Sequence, residues 1–427
     1  MSARIEHSLS HTGVPPSNVG ESPGYDVAAV RRDFPILTQK MRGRPLIYLD
    51  NAASAQKPQC VIDAISNFYA REYANIHRGI YELSEMATRR YEDARSRVQR
   101  FIGARSTDEI VFVRNATEAI NLIAGSFGRR LVAGDEILIT TMEHHANIVP
   151  WQLLCESTGA VLRVAPVNDR GELLLDELEK YLTPRTRLFA LTHASNALGT
   201  LNPVHELTAA AHTRGIPILI DGAQAVPRLP VNVSAIDCDF YAFSGHKLYG
   251  PSGIGVLYGK RELLADLPPY QGGGEMITSV SFEKTLYKAP PHRFEAGTPH
   301  IAGAVGLAAA IDYLEKIGMQ AVFRHETELL EYGTEQLSRI PGLRLIGTAA
   351  HKVGVLSFVI EGIHPHDIGT VLDQAGIAIR AGHHCAQPVL ERMGVPATAR
   401  ASLGLFNTRA DLDALVRGLY KTLEVFR

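Results

Sequence analysis

The chain has 427 residues, 45% of them hydrophobic and 21% charged, with 43 Lys and Arg against 45 Asp and Glu. That length exceeds what one simple core holds, so two domains in one subunit are expected. The near-neutral charge balance carries neither the basic excess of a nucleic-acid binder nor the acidic bias of a disordered chain.

Taken in order, residues 1–25 are polar and hold Pro15, Pro16, Gly20 and Pro23, the composition of a flexible tail. No apolar signal core occurs there, and no later stretch reaches the roughly 18 apolar residues of a membrane span. The four cysteines, Cys60, Cys155, Cys238 and Cys385, form no CxxC pair. A zinc ribbon or disulfide framework is therefore not expected, and a cytoplasmic location is. Helical spacing of Val27, Val30 and Phe34 marks the first ordered segment.

From about residue 60 to 260, short apolar segments alternate with helical stretches such as TEAINLIAGSF. Strands are predicted over 109–113, 136–140, 188–192, 216–220, 239–243 and 253–259. Apolar runs separated by helices describe a mostly parallel sheet in an α/β layer structure. After residue 300 the segments IAGAVGLAAAIDYLEKIG and AVFRHETELLEYGTEQLSRI read as helices. LRLIG, VGVLSFVI and IAIRAG read as strands, and ADLDALVRGLYKTLEVF as a closing helix. The expected division is a large domain over 26–300 and a smaller α+β domain over 301–427, with the first helix packing on the latter.

Polar residues follow the strand ends repeatedly: Thr117, His144, Asn196, Asp221 and Ser244 through Lys247. Open α/β sheets bind ligands outside the carboxyl ends of their strands, so these positions can converge despite their separation. Lys247 sits between an apolar strand and the small-residue segment LYGPSGIGVLYG, where burial would make its amine available for Schiff-base chemistry. Asp221 ends IPILID; a carboxylate there suits the pyridine nitrogen of pyridoxal phosphate, whose protonated ring is an electron sink. Gln224 is placed to donate to the ring's phenolic oxygen, and His144 to stack on the ring and carry a proton. Asn115, Ala116 and Thr117 open a helix whose N-terminus suits the phosphate, with Ser244 and His246 completing the cup. No GxGxxG motif supports a nicotinamide cofactor instead.

These stretches resemble, from about residue 27 onward, the group II cysteine desulfurases of the SufS type. The carrying segments are YLDNAASAQKP (48–58), NIHRGIYELS (75–84), RNATEAIN (114–121), MEHHANIVPWQ (142–152), HASNALGT (193–200), DGAQAVP (221–227), FSGHKLYGPSGIGVLYG (243–259), GGGEMI (272–277), FEAGTP (294–299) and RAGHHCAQP (380–388). The resemblance implies the PLP fold-type I (aspartate aminotransferase-like) architecture, with Lys247 as the Schiff-base lysine. Asp221, Gln224, His144, Thr117, Ser244 and His246 would contact the cofactor. It also implies a homodimer in which Thr298 reaches the partner's phosphate site.

Cys385 lies between a strand candidate and a helix beginning near Pro388, with Arg380, His383 and His384 close by. Cationic neighbours favour the reactive thiolate. A metal site at His383, His384 and Cys385 is disfavoured, because three adjacent loop residues rarely converge on one ion. The resemblance implies that Lys247 removes the α-proton of cysteine and Cys385 takes its sulfur as a persulfide, releasing alanine. Arg400, an arginine among small apolar residues, suits the substrate carboxylate. The resemblance adds Asn196 as its helper, and Arg380 is a lesser candidate for substrate or Cys385. A small SufE- or SufU-like sulfur acceptor and a SUF iron–sulfur assembly scaffold are the implied protein partners. Competing readings are a selenocysteine lyase, an aminotransferase or kynureninase-like enzyme, and a non-catalytic scaffold.

Overall fold

The structure, a computed structural model, describes residues 25–426. Apart from Tyr25, the expected flexible tail therefore lies outside the described residues. A seven-stranded sheet forms the centre. Its strands are β1 (Ile110–Val113), β2 (Glu136–Thr140), β3 (Val161–Ala165), β4 (Thr186–Thr192), β5 (Ile218–Asp221), β6 (Phe240–Ser244) and β7 (Gly255–Gly259). Their order across the sheet is β1-β7-β6-β5-β4-β2-β3, and β7 alone runs antiparallel to its neighbours. The expected mostly parallel α/β sheet is thus present. Every residue of β1, β2, β5, β6 and β7 is buried, since helices cover both faces.

β3 is absent from the strand segments expected above. It is an edge strand, and most of its residues are partly or fully exposed. Its sequence, VLRVA, therefore lacks the continuous apolar run that marks the central strands.

Two apolar layers sandwich the sheet. One contains α1 (Val27–Arg32), α2 (Glu82–Phe101) and α4 (Ile301–Ile317); the other is built on α3 (Ala116–Phe127). α4 packs along α2, so the first helix after residue 300 joins the large core. A smaller antiparallel sheet follows: β8 (Leu343–Ile346), β9 (Val355–Ile360), β10 (Arg380–Gly382) and β11 (Thr398–Ser402), in the order β8-β9-β11-β10. It shares a third apolar cluster with α5 (Met319–Leu337) and α6 (Arg409–Phe426). α1 is tied to the C-terminal segment, where Arg31 donates to the Phe406 carbonyl and to Asp411.

The strand expected over 377–382 divides in two. Ile377–Ala378 pairs in parallel with Ile47–Tyr48, whereas Arg380–Gly382 pairs with β11. Segment 47–50 is thereby stitched to the small sheet, and Asp50 bridges to Ser402. That crossing places Asp50 beside Arg400. Among the described residues no helix is long and apolar enough to cross a membrane.

Candidate functional site

The carboxyl ends of the central strands open on one cavity of about 240 Å³. At one end stands the junction of β1 with α3. Asn115 caps the helix, its side-chain oxygen accepting from Glu118 N at 2.9 Å, and Ser244 Oγ at the end of β6 accepts from Ala116 N at 2.9 Å. Neither cap takes the Thr117 amide, and Thr117 lines the cavity at this helix start. Gly255 makes this approach feasible, because a Cβ there would lie 2.6 Å from Asn115 Cα. His246 rests against Ser54 Oγ at 3.2 Å, and burial first, then Lys247, pushes its ring down to about 4, so it is neutral.

The middle of the cavity holds the groups expected around the ring. Asp221 is fully buried at the end of β5, and its Oδ1 accepts from Ala223 N at 2.9 Å. Burial raises its pKa against the opposing pull of Lys247. Lys247 is half-buried, and desolvation lowers its amine against the pull of Asp221. Each opposes the other's desolvation shift across the cavity that both line. Gln224 Nε2 donates to the Ala52 carbonyl at 2.7 Å, while its buried Oε1 finds no partner among the described residues.

His144 Nδ1 accepts from Ala146 N at 3.0 Å, which leaves the ring hydrogen on Nε2. Burial, reinforced by Lys247, drives its pKa down to about 3. The ring is thus neutral and suited to stacking, and its first exchangeable proton is the one on Nε2. Behind it lies a buried chain: Trp151 Nε1 donates to Asn147 Oδ1 at 2.9 Å, and Asn147 Nδ2 donates to Glu143 Oε2 at 2.7 Å. Thr140 Oγ1 donates to the other Glu143 oxygen at 2.5 Å. Burial pushes Glu143 up to about 8.

The third side of the cavity comes from the small sheet. Arg400 on β11 is almost wholly buried; it donates to the Asn196 carbonyl at 3.0 Å and to Asp50 Oδ1 at 2.9 Å. Its Nε has no partner among the described residues. Burial lowers the guanidinium pKa and Asp50 opposes the shift. Arg380 pairs with Arg400 across the β10–β11 ladder and is exposed, on the solvent side of the same opening.

Cys385 is exposed at the cavity mouth. Its loop has an uncommon backbone: His384 has φ 55° and Cys385 φ 54°, two consecutive non-glycine residues in the left-handed region. Such a conformation costs about 1–2 kcal/mol per residue, so the surroundings must hold it. Asn196 Nδ2 donates to the His384 carbonyl at 2.5 Å, and His145 N donates to the Cys385 carbonyl at 2.7 Å. His384 Nε2 meets Thr398 Oγ1 at 2.7 Å. Burial, then Arg400, pushes His384 down to about 3. It therefore brings no positive charge to Cys385, unlike the cationic role expected of it. Asn196, expected to help hold substrate carboxylate, spends one amide hydrogen on the cysteine loop.

Thr117, His144, Asn196, Asp221, Gln224, Ser244, His246, Lys247, Arg380, Cys385 and Arg400 all line this one cavity. Thr298 does not; it lines a neighbouring cavity with Arg114, Glu118, Tyr270 and His300. Sequence reasoning missed Asp50, the partner of Arg400, and the role of His145. YLDN and EHHAN held both residues in view, but their contacts are long-range. The donor set suits pyridoxal phosphate: a helix N-terminus with hydroxyls for the phosphate, a buried carboxylate for the pyridine nitrogen and a desolvated amine for the aldehyde. The unpaired Gln224 Oε1 and Arg400 Nε show that the buried polar groups around this space are not yet satisfied.

The model of the class-V aminotransferase family matches residues 47–415. A cysteine desulfurase of Synechococcus elongatus is 56% identical over 397 residues, covering 93% of this chain and 63% of that relative. A cysteine desulfurase of Dickeya dadantii is 54% identical over 399 residues, covering 93% and 97%. The chain spans less than two thirds of the Synechococcus relative, and 61% of a probable cysteine desulfurase of Mycolicibacterium paratuberculosis. Among solved structures, the cysteine desulfurase CsdA of Escherichia coli superposes with a TM-score of 0.87 at 39% identity, covering 95% of this chain and 100% of the other. Apo cysteine desulfurase from Thermococcus onnurineus gives 0.90 at 38%, covering 94% and 99%. The fold is accordingly the PLP fold-type I architecture.

Proposed function

This chain belongs to the class-V aminotransferase family, and from that premise we propose that it is a pyridoxal-phosphate-dependent cysteine desulfurase, converting L-cysteine to L-alanine with the sulfur held on Cys385. The observation that carries this reading is the presence of Cys385 in one cavity with Lys247, Asp221 and Arg400. A transaminase has no use for a thiol at that position. Bound in the cavity, the cofactor supplies a carbonyl that captures the substrate amine and a ring that withdraws electrons from the α-carbon.

The protein groups do the rest. Asp221 would face the ring nitrogen and favour its protonated form, and Thr117, Ser244 and His246 would hold the phosphate. Arg400 turns its buried fork to the substrate carboxylate, with Asn196 beside it. The Lys247 amine, lowered by burial, accepts the α-proton. The Cys385 thiolate then attacks the substrate sulfur. An S–S bond forms and the C–S bond breaks, its electron pair staying on the three-carbon fragment. That fragment takes up one proton at the β-carbon and regains one at the α-carbon from Lys247 before it leaves as alanine, and the neutral His144 lining the same cavity is placed to relay protons.

The same reading extends to a homodimer in which Thr298 meets the partner's phosphate site. It includes delivery of the sulfur, in the cytoplasm, to a small SufE- or SufU-like acceptor for iron–sulfur cluster assembly of the SUF type. The decisive experiment incubates the cofactor-loaded protein with cysteine, quantifies alanine and locates added sulfur by peptide mass. Alanine with one sulfur on Cys385 is the expected result; alanine absent, or sulfur carried by another cysteine, refutes the proposal.

A further inference from the structure

Between the residue that faces the cofactor and the residue that takes the sulfur stands His145, to which the reaction above gives no task. It makes two contacts with the cysteine loop. Its backbone N–H donates to the Cys385 carbonyl at 2.7 Å, and its ring Nε2 accepts from Gln387 N at 3.2 Å. Gln387 is the first residue of the helix Gln387–Arg392, so the imidazole takes one of the amides that this helix leaves unsatisfied at its start. Residues 385 and 387 are gripped from one residue on another element, 240 positions earlier in the chain.

The grip matters because the loop's own turn bond, Ala386 N to the His383 carbonyl at 2.9 Å, spans two strained residues. His384 and Cys385 both lie in the left-handed region, which only the surroundings can enforce. His145 in turn stands on firm ground. It opens the short turn His145–Asn147, whose last residue is locked by buried Glu143 and Trp151. His144 belongs to the same turn through its bond to Ala146 N. One braced turn thus carries the cofactor-facing ring on one residue and the cysteine clamp on the next.

We propose that His145 is a positioning residue for sulfur transfer, clamping the Cys385 loop through its N–H and its ring Nε2 so that the thiol stands in register with substrate held over the cofactor. The clamp is read from contacts in the protein; its catalytic consequence rests on the desulfurase reading above. Two kinds of step should then separate. Substrate arrival at the cofactor depends on His144, Lys247 and Arg400, and needs no clamp. Sulfur transfer depends on where Cys385 stands, and does.

The test compares wild-type holoenzyme with His145→Ala, which loses the ring acceptor, and with His145→Gln, whose Oε1 reaches the Nε2 position. Hydrogen-exchange mass spectrometry over residues 383–387 reads the clamp without any turnover. Exchange there should be at least about 10-fold faster in His145→Ala and return towards wild type in His145→Gln. On mixing with cysteine, the visible absorbance change of the cofactor should keep its rate within about 2-fold in both variants, while sulfur transfer to Cys385 falls at least about 10-fold in His145→Ala and recovers in part in His145→Gln. Unchanged exchange in His145→Ala overturns the clamp. Loosened exchange with normal sulfur transfer overturns its catalytic role, as does an absorbance change that slows in step with sulfur transfer. A wild-type protein that forms alanine without sulfur on Cys385 refutes the desulfurase reading instead, and the exchange result still judges the clamp.

Discussion

Gly255→Ala is a small change placed where the structure has no room for it. The new Cβ would stand 2.6 Å from Asn115 Cα, 2.9 Å from Asn115 C and 2.8 Å from the Phe243 carbonyl oxygen. All three are backbone atoms, so no side-chain rotation relieves the clash. Ordinary contact begins at 3.4 Å, so the start of α3 and the start of β7 must separate by roughly 0.8 Å. Overpacking of that kind costs about 1–3 kcal/mol of stability. The shift also falls on the Ala116–Ser244 hydrogen bond and the Thr117 amide, the groups assigned to the phosphate. Misplacing one charge-assisted hydrogen bond costs about 1.5–3 kcal/mol, or about 10- to 100-fold in cofactor dissociation constant. Gly259→Ala is the matched control on the same strand, since its Cβ meets the side chains of Leu264 and Phe240 far from the phosphate cup. Cofactor titration by absorbance and thermal unfolding of the apo forms separate the two effects. Both variants should lose stability, and Gly255→Ala alone should lose cofactor affinity. Wild-type affinity in Gly255→Ala, or equal losses in both variants, would remove the α3 N-terminus from the phosphate site.

Further outcomes follow from the same geometry. Lys247→Ala should fold and lose the borohydride-reducible attachment of the cofactor, and retention of that attachment on another lysine would exclude Lys247. Arg400→Lys removes a planar fork that now donates to Asn196 O and Asp50, so KM for cysteine should rise by about 10-fold or more, by the loss of a bidentate contact; an unchanged KM argues against Arg400 as the carboxylate site. Cys385→Ser should bind the cofactor and still change its absorbance on addition of cysteine, yet form no persulfide; normal persulfide yield would contradict the nucleophile assignment. Glu143 has a folded pKa raised by burial to about 8 from 4.5, so its protonated form favours the native state. Its contribution is complete below about pH 4.5 and is lost as pH rises towards 8. Glu143→Gln, which cannot ionise, should gain stability relative to wild type across that window in denaturant titrations, and a pH-independent difference would show that Glu143 is ionised in the native protein.

Much of this site was legible before any coordinates, for a physical reason. A strand buried on both faces is nearly continuous in apolar residues, so β2, β5 and β6 announced themselves, and the polar residue ending each one stood out against them. Asp221 after IPILI and Lys247 after DFYAFSGH were readable because a charged group at the end of a buried strand is costly unless it has work to do. Cys385 was readable from its motif and loop setting. β3 escaped because most of its residues are partly or fully exposed and its apolar pattern is diluted.

What the sequence determined by itself was therefore the α/β sheet, the residues at its carboxyl edge and the family they resemble, all set by local polarity and spacing. Only the tertiary structure decided the partnerships. Asp50 meets Arg400 because segment 47–50 crosses to the small sheet, and 350 residues separate them in the chain. His384, read as a charged neighbour of the thiol, is neutral because burial, with its ring against Thr398 Oγ1, removes it from water and the charge of Arg400 opposes protonation. His145 grips the cysteine loop because the end of β2 and the loop before residue 387 meet at one point of the cavity wall. Contacts of that range leave no periodic trace in a sequence; they exist only once burial has brought the two segments together.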